Sequence, residues 1–130
     1  MADQPGGYAG KILRLDLTRG RITQERLDDK VLREYVGGTG LGAKFLYEET
    51  PPGVQCFDPE NRLIFASGPL SGTRVCGSSN ITALGKGPLT NGATASMGNG
   101  FFSAYLKFSG FDAISTSPSK GLIRRLLFSL

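Results

Sequence analysis

Glycine sets the limits on this chain. It supplies 19 of the 130 residues, roughly twice the usual share, and gathers at 37–42, 85–92 and 98–100. No period links these glycines, so collagen-like and low-complexity readings fail. Such clusters mark backbone that must turn tightly or let something large come close. The rest of the composition is that of a globular protein, with 39% apolar and 20% charged residues. A chain of this length makes one domain and buries roughly two thirds of its unfolded surface, so it needs neither disulfides nor metal to fold.

Several chemistries are excluded at once. There is no histidine, which removes Ser-His-Asp triads, Cys-His pairs and imidazole metal sites from this chain. Its two cysteines, Cys56 and Cys76, form no CxxC and are too few for an iron–sulfur cluster. They read as reduced thiols. The net charge of +4 comes from scattered Lys and Arg; without a basic patch, nucleic acid is not an expected partner. The start, "MADQPGGYAG", lacks the basic end and apolar run of a signal peptide. No apolar stretch has membrane-spanning length. A cytoplasmic protein with no membrane contact is expected.

Strands and helices mix without strict alternation, which predicts an α+β fold. "KILRLDLTRGRITQERL" reads as a hairpin, because Leu13, Leu15 and Leu17 alternate with Arg14 and Asp16. "DDKVLREYVGG" reads as a short helix capped by Asp28 or Asp29, with an apolar face of Val31, Leu32, Tyr35 and Val36. A second helix spans "GLGAKFLYEE" and stops at Pro51-Pro52-Gly53. "RLIFAS", "NITALGK", "ATAS" and "FDAIS" are strand candidates, with "GPLTNG" as a turn and residues 100–109 as a helix.

Two glycine motifs carry little. "GTGLGA" satisfies the dinucleotide-binding pattern but follows a helix rather than a strand, so it reads as a helix–helix connector. "ALGKG" lacks the first glycine and the hydroxyl residue of a phosphate loop. The stretch "ATASMGNGFFSAYLKF" is better placed. It runs from a strand through a Gly-Asn-Gly turn into a helix, with Asn99 as the expected cap. Gly98 and Gly100 clear side chains from the approach to the helix N-terminus, as a phosphate site requires. Gly98 is the position expected to need a positive φ. Phe101, Phe102, Tyr105, Leu106 and Phe108 are expected to bury around the helix and fix its aim. An ordinary tight turn ahead of a core helix explains the same letters.

The segments "YAGKILRLDLTRGRI", "YVGGTGLGAKFLYEE", "FDPENRLIFASGPLSGT", "GKGPLTNG" and "YLKFSGFDAI" follow in one order. Together they resemble the N-terminal domain of the aldehyde:ferredoxin oxidoreductase family, nearly colinearly from Tyr8 to Ile114. "TPPGVQCFDPENRLIFASG" is also similar to the tungsten subunit of benzoyl-coenzyme A reductases. The resemblance implies a domain built on two sheets, forming the floor under a bis-pyranopterin tungsten (or molybdenum) cofactor whose phosphates bridge magnesium. The cofactor-facing loop falls on Ser96, Met97, Gly98, Asn99 and Gly100. Asn80 joins them, at a position where members usually carry arginine; that change loses a charge and a bidentate fork. The cradle asparagine of the family aligns with Met97.

The implied parent chemistry oxidises an aldehyde with water to a carboxylic acid. Two electrons then pass through a [4Fe–4S] cluster to ferredoxin or an electron-transfer subunit. The cluster cysteines lie in later domains of such enzymes and are absent here. Residues 1–114 are therefore expected to be a partial N-terminal domain and 115–130 a divergent tail. No residue in the chain is a convincing acid or base. The alternatives are an inactive fragment or subunit-interaction remnant, and part of a benzoyl-coenzyme A reductase-like tungsten subunit.

Overall fold

A computed structural model describes residues 6–117. The tail expected to diverge lies mostly outside the described residues. Six strands form one mixed sheet: β1 (Lys11–Asp16), β2 (Arg21–Arg26), β3 (Leu63–Ser67), β4 (Asn80–Lys86), β5 (Ala93–Asn99) and β6 (Ala113–Ser117). Three helices join them, α1 (Asp29–Tyr35), α2 (Gly38–Glu49) and α3 (Phe102–Phe108). The strand order is β2-β1-β6-β3-β4-β5. Only the β1–β6 pair is parallel. The α+β class holds. β6 continues through Ser117, three residues past the expected end of the resemblance, because Ser115 to Ser117 pair with Arg14 to Asp16.

Local chemistry explains most boundaries. The β1–β2 hairpin turns where Asp16 Oδ1 accepts from the backbone N–H of Thr18 and Arg19. Asp28 caps α1 by accepting from the Lys30 N–H. Of the expected apolar face of α1, Leu32 is fully buried and Val31 borders the core, but Val36 is 53% exposed. Val36 ends the helix at φ 61 rather than continuing it. "GTGLGA" is not a connector; it forms the first half of α2, and the connection is Val36-Gly37. Gly42 is there for contact: a Cβ on it would sit 2.3 Å from Leu84 Cδ1. Its bare backbone lets α2 press onto β4.

The two faces of the sheet differ. On one, Ile12, Ile64, Ala66, Leu84 and Ala113 meet Leu27, Leu32, Leu41, Phe45 and Leu46, all buried. Strand alternation sends Leu13, Ile114, Phe65 and Ala83 to the opposite face, where pairing sets them side by side across four strands. α3 lies on that second face, with Phe102 against Phe65 at 6.2 Å between ring centres.

The first strand is tied to the middle of the sheet by Asp112. Its carboxylate, 1% exposed, pairs with the Lys107 ammonium and accepts from the N–H groups of Ala9 (3.1 Å) and Gly10 (2.6 Å). Its backbone N–H donates to the Lys11 carbonyl, and its carbonyl accepts from the Ser67 N–H and hydroxyl. Lys107 also donates to the Gly7 carbonyl and lies over the Tyr8 ring. Burial, and secondarily the Asp112 charge, raise the Tyr8 phenol above its ordinary pKa. The Asp112→Ala variant leaves the Lys107 ammonium, 8% exposed, without a counter-charge. It is expected to lose about 3–5 kcal/mol, read from urea unfolding, and adding Lys107→Met should recover part of that loss.

Candidate functional site

The β4–β5 hairpin and the start of α3 carry every residue singled out in the sequence. Register places Asn80 opposite Asn99, Ile81 opposite Gly98, Thr82 opposite Met97 and Ala83 opposite Ser96. All six expected site residues therefore meet at one corner of the sheet, with β5 exposed along its full length. Period-two alternation then divides them. Ser96 and Gly98 lie on the α3 face beside Ile81, whose Cγ2 would be 3.9 Å from a Cβ on Gly98. Met97, Asn99 and Asn80 lie on the α1/α2 face, and Met97 is 72% exposed.

Four expectations about this stretch change. The strand does not end at Ser96; pairing with β4 carries it through Gly98 to Asn99. Gly98 has ordinary strand backbone, and the positive φ falls on Gly100, at 139°. Asn99 does not cap α3. Its Oδ1 accepts from the Gly100 N–H at 2.8 Å, and that N–H also reaches the Ser79 carbonyl at 3.2 Å. Phe101 stands at the helix start with no side-chain cap.

The aromatic residues do not bury around α3. Phe101, Tyr105 and Phe108 are 78%, 64% and 68% exposed. A helix of seven residues presents one narrow stripe to the sheet, and Ser103, Ala104 and Leu106 fill it. The outer rings meet one another instead, Phe101 tilted against Tyr105 and Tyr105 edge-to-face with Phe108. Phe102 alone reaches the sheet, and it is still 54% exposed.

No charged side chain belongs to the corner itself. Asn80 donates through Nδ2 to the Gly77 carbonyl at 3.3 Å. Nothing lies within 4 Å of where a Cβ on Gly100 would stand. On the α1/α2 face, sequence reasoning missed a cavity of about 900 Å³. Ala43, Leu46 and Tyr47 of α2, Pro51, and Leu84 and Ala95 of the hairpin line it. Its one sequence signal is the run of small residues in β5, which leaves room beside the helix. Among the described residues no three His, Cys, Asp or Glu side chains converge, and Cys56 and Cys76 are free thiols. The densest charge cluster lies away from the corner. There Arg14 bridges Glu25 and Glu49, which hold its guanidinium pKa up against the burial that lowers it.

Residues 12–117 match the family described as "Aldehyde ferredoxin oxidoreductase, N-terminal domain". The chain belongs to this family. A tungsten-containing aldehyde ferredoxin oxidoreductase of Pyrococcus abyssi is 44% identical over 108 residues, which is 83% of this chain and 18% of the relative. The WOR-like subunit of an aliphatic sulfonate oxidoreductase from Pyrococcus furiosus is 34% identical over 110 residues, covering 82% of this chain and 17% of the relative. Among solved structures, the active-site complex BamBC of benzoyl coenzyme A reductase with 1,5-dienoyl-CoA superposes with a TM-score of 0.85 at 37% identity. That match covers 88% of this chain and 18% of the other. The chain thus spans under a fifth of the length of these relatives. No helix among the described residues is long and apolar enough to cross a membrane.

Within this oxidoreductase-family domain the two glycines of the corner separate by experiment. Valine at Gly100 meets no atom but must adopt φ 139°, at a cost of roughly 1–3 kcal/mol. Valine at Gly98 meets only ordinary contact with Ile81 and should change stability by under about 0.5 kcal/mol. Thermal melts of Gly100→Val and Gly98→Val compare the two.

Proposed function

We propose that this chain is the N-terminal, cofactor-seating portion of a tungsten (or molybdenum) pterin oxidoreductase that oxidises aldehydes to carboxylic acids with ferredoxin as electron acceptor. The observation that carries the reading is the open corner. Gly98 and Gly100 present bare backbone, with free space at Gly100, where register has set the amides of Asn80 and Asn99 opposite each other. The 44% identity to a tungsten-containing aldehyde ferredoxin oxidoreductase supplies the chemical class.

The residues fit a large polar group. Asn80, Ser96 and Asn99 offer neutral donors and acceptors. The glycines let a fused ring system or a phosphate approach the backbone closely. None of the six is charged, so any phosphate here would be held by neutral donors rather than by an Arg fork. Alternation puts Ser96 on one side of the edge and Asn80 and Asn99 on the other, so a ligand would straddle the strand end. The bound metal centre would supply the two-electron redox chemistry; this chain's residues bind and orient. No acid, base or nucleophile stands in the corner. Cluster ligands and the contact with ferredoxin fall to the remainder of the enzyme.

One observation favours a second reading. The 37% identity and TM-score of 0.85 to the benzoyl coenzyme A reductase complex make a reductase of that type the alternative, with the same seat and a different reaction.

A chimaera tests the proposal. The matching segment of the Pyrococcus abyssi relative is replaced by this chain's residues, and tungsten and pterin are measured after anaerobic purification. Retention of both is expected. Gly98→Val in the chimaera should lower both without moving the melting temperature, because it fills the seat and leaves the fold intact. Full retention in that variant would return the glycines to the role of a plain turn.

A further inference from the structure

We propose that the first turn of α2 and the hydroxyl of Thr82 form an oxyanion subsite, which takes a phosphate group on the α1/α2 side of the corner. The inference rests on the proposed seat only for the source of that phosphate.

α2 runs in the same direction as β4. Gly42 meets Leu84, and one turn earlier Gly38 meets Thr82, whose Oγ1 would be 3.5 Å from a Cβ on Gly38. Two residues before Thr82, on the same face of β4, stands Asn80, paired with Asn99. The start of α2 is therefore directed at the side of the corner that Asn80, Met97 and Asn99 share. A helix of twelve residues brings the positive end of its dipole there. The corner's own side chains carry no charge, so this field is what an anion would find.

The helix start is left without a cap. The chain enters it through a tight γ-turn at Val36, φ 61 and ψ −59, closed by the Gly37 N–H on the Tyr35 carbonyl at 2.7 Å. Gly37 then stands at the cap position with no side chain to offer, and the first turn holds no acidic residue. The Gly40 N–H uses the Gly37 carbonyl at 3.1 Å. Among the described residues, the N–H groups of Gly38 and Thr39 donate to nothing. Such groups at a helix start bind phosphate through the backbone.

Thr82 points to a ligand independently of the helix. It is 3% exposed, and among the described residues its hydroxyl makes no hydrogen bond. A hydroxyl buried without a partner is costly. An oxyanion at the start of α2 would be its acceptor. Two backbone N–H groups and one O–H are thus gathered at one point, with the amides of Asn80 and Asn99 in front of them. The tetrahedral oxygens of a phosphate can meet the helix, the hydroxyl and an amide at once.

Inorganic phosphate titrated into the cofactor-free chain should move the amide resonances of Gly38 and Thr39 saturably, beyond what chloride does at equal ionic strength. Thr82→Val removes only the hydroxyl. It should weaken phosphate about tenfold, the worth of one hydrogen bond to a charged group. Its melting temperature should be unchanged or higher, because the fold loses no bond. Thr39→Asp sets a carboxylate on the free N–H groups. It should raise the melting temperature and abolish the phosphate response. The same two substitutions in the chimaera identify the source. Loss of tungsten and pterin in both assigns the subsite to a cofactor phosphate; full retention, with phosphate binding still lost, assigns it to a free one. If the seat reading itself fails, Gly98→Val keeps its tungsten and the phosphate titration still decides the subsite. Amides of Gly38 and Thr39 that respond equally to chloride overturn the proposal. So does a folded Thr82→Val variant that binds phosphate as tightly as the parent.

Discussion

The fold depends on one buried carboxylate. Asp112 sits where three segments distant in sequence must meet: the chain entering β1, the end of β3 and the start of β6. Its carboxylate holds the N–H groups of Ala9 and Gly10, and its own backbone holds Lys11 and Ser67. A charge this deep, 1% exposed, is tolerable only because Lys107 pairs with it and two backbone N–H groups donate to its oxygens. This is also what allows β6, the last of the described strands, to slot between β1 and β3.

From that register follow the two faces and the two edges. α2 reaches β4 closely because Gly42 has no side chain to hold it off Leu84, and the main core forms beneath it. Among the described residues the opposite face receives only the short α3, so its aromatic residues stay outside. Among the described residues β5 is left at the margin, uncharged and uncovered, and it carries the corner with Gly98 and Gly100. The seat follows from one topological fact: among the described residues no further strand lies beside β5.

Much of the fold is legible in the letters. Alternation in "KILRLDL" marks β1, Asp28 marks the start of α1, and Pro51-Pro52 marks the end of α2, because each is a local steric or hydrogen-bonding rule. The shared motifs from Tyr8 onward point to the family that residues 12–117 match. The misreadings share one cause. Asn99, Gly98 and the rings after Gly100 were assigned roles by their neighbours in sequence. The conformations of Gly98 and Asn99 follow from β4, roughly twenty residues earlier, which draws the strand on through Gly98 and moves the strained turn to Gly100, and the rings stay outside because a seven-residue helix turns one stripe to the sheet.

The sequence by itself determined the class of the fold, the positions of most elements and the absence of imidazole or thiolate-cluster chemistry, since composition, periodicity and capping act within a few residues. Only the tertiary structure decided which face each site residue takes, which aromatic residues are covered, that Gly42 serves close contact rather than a nucleotide, and that Asp112 is buried. Those properties depend on register and strand order. Shifting the pairing by one residue exchanges the faces while leaving every letter unchanged.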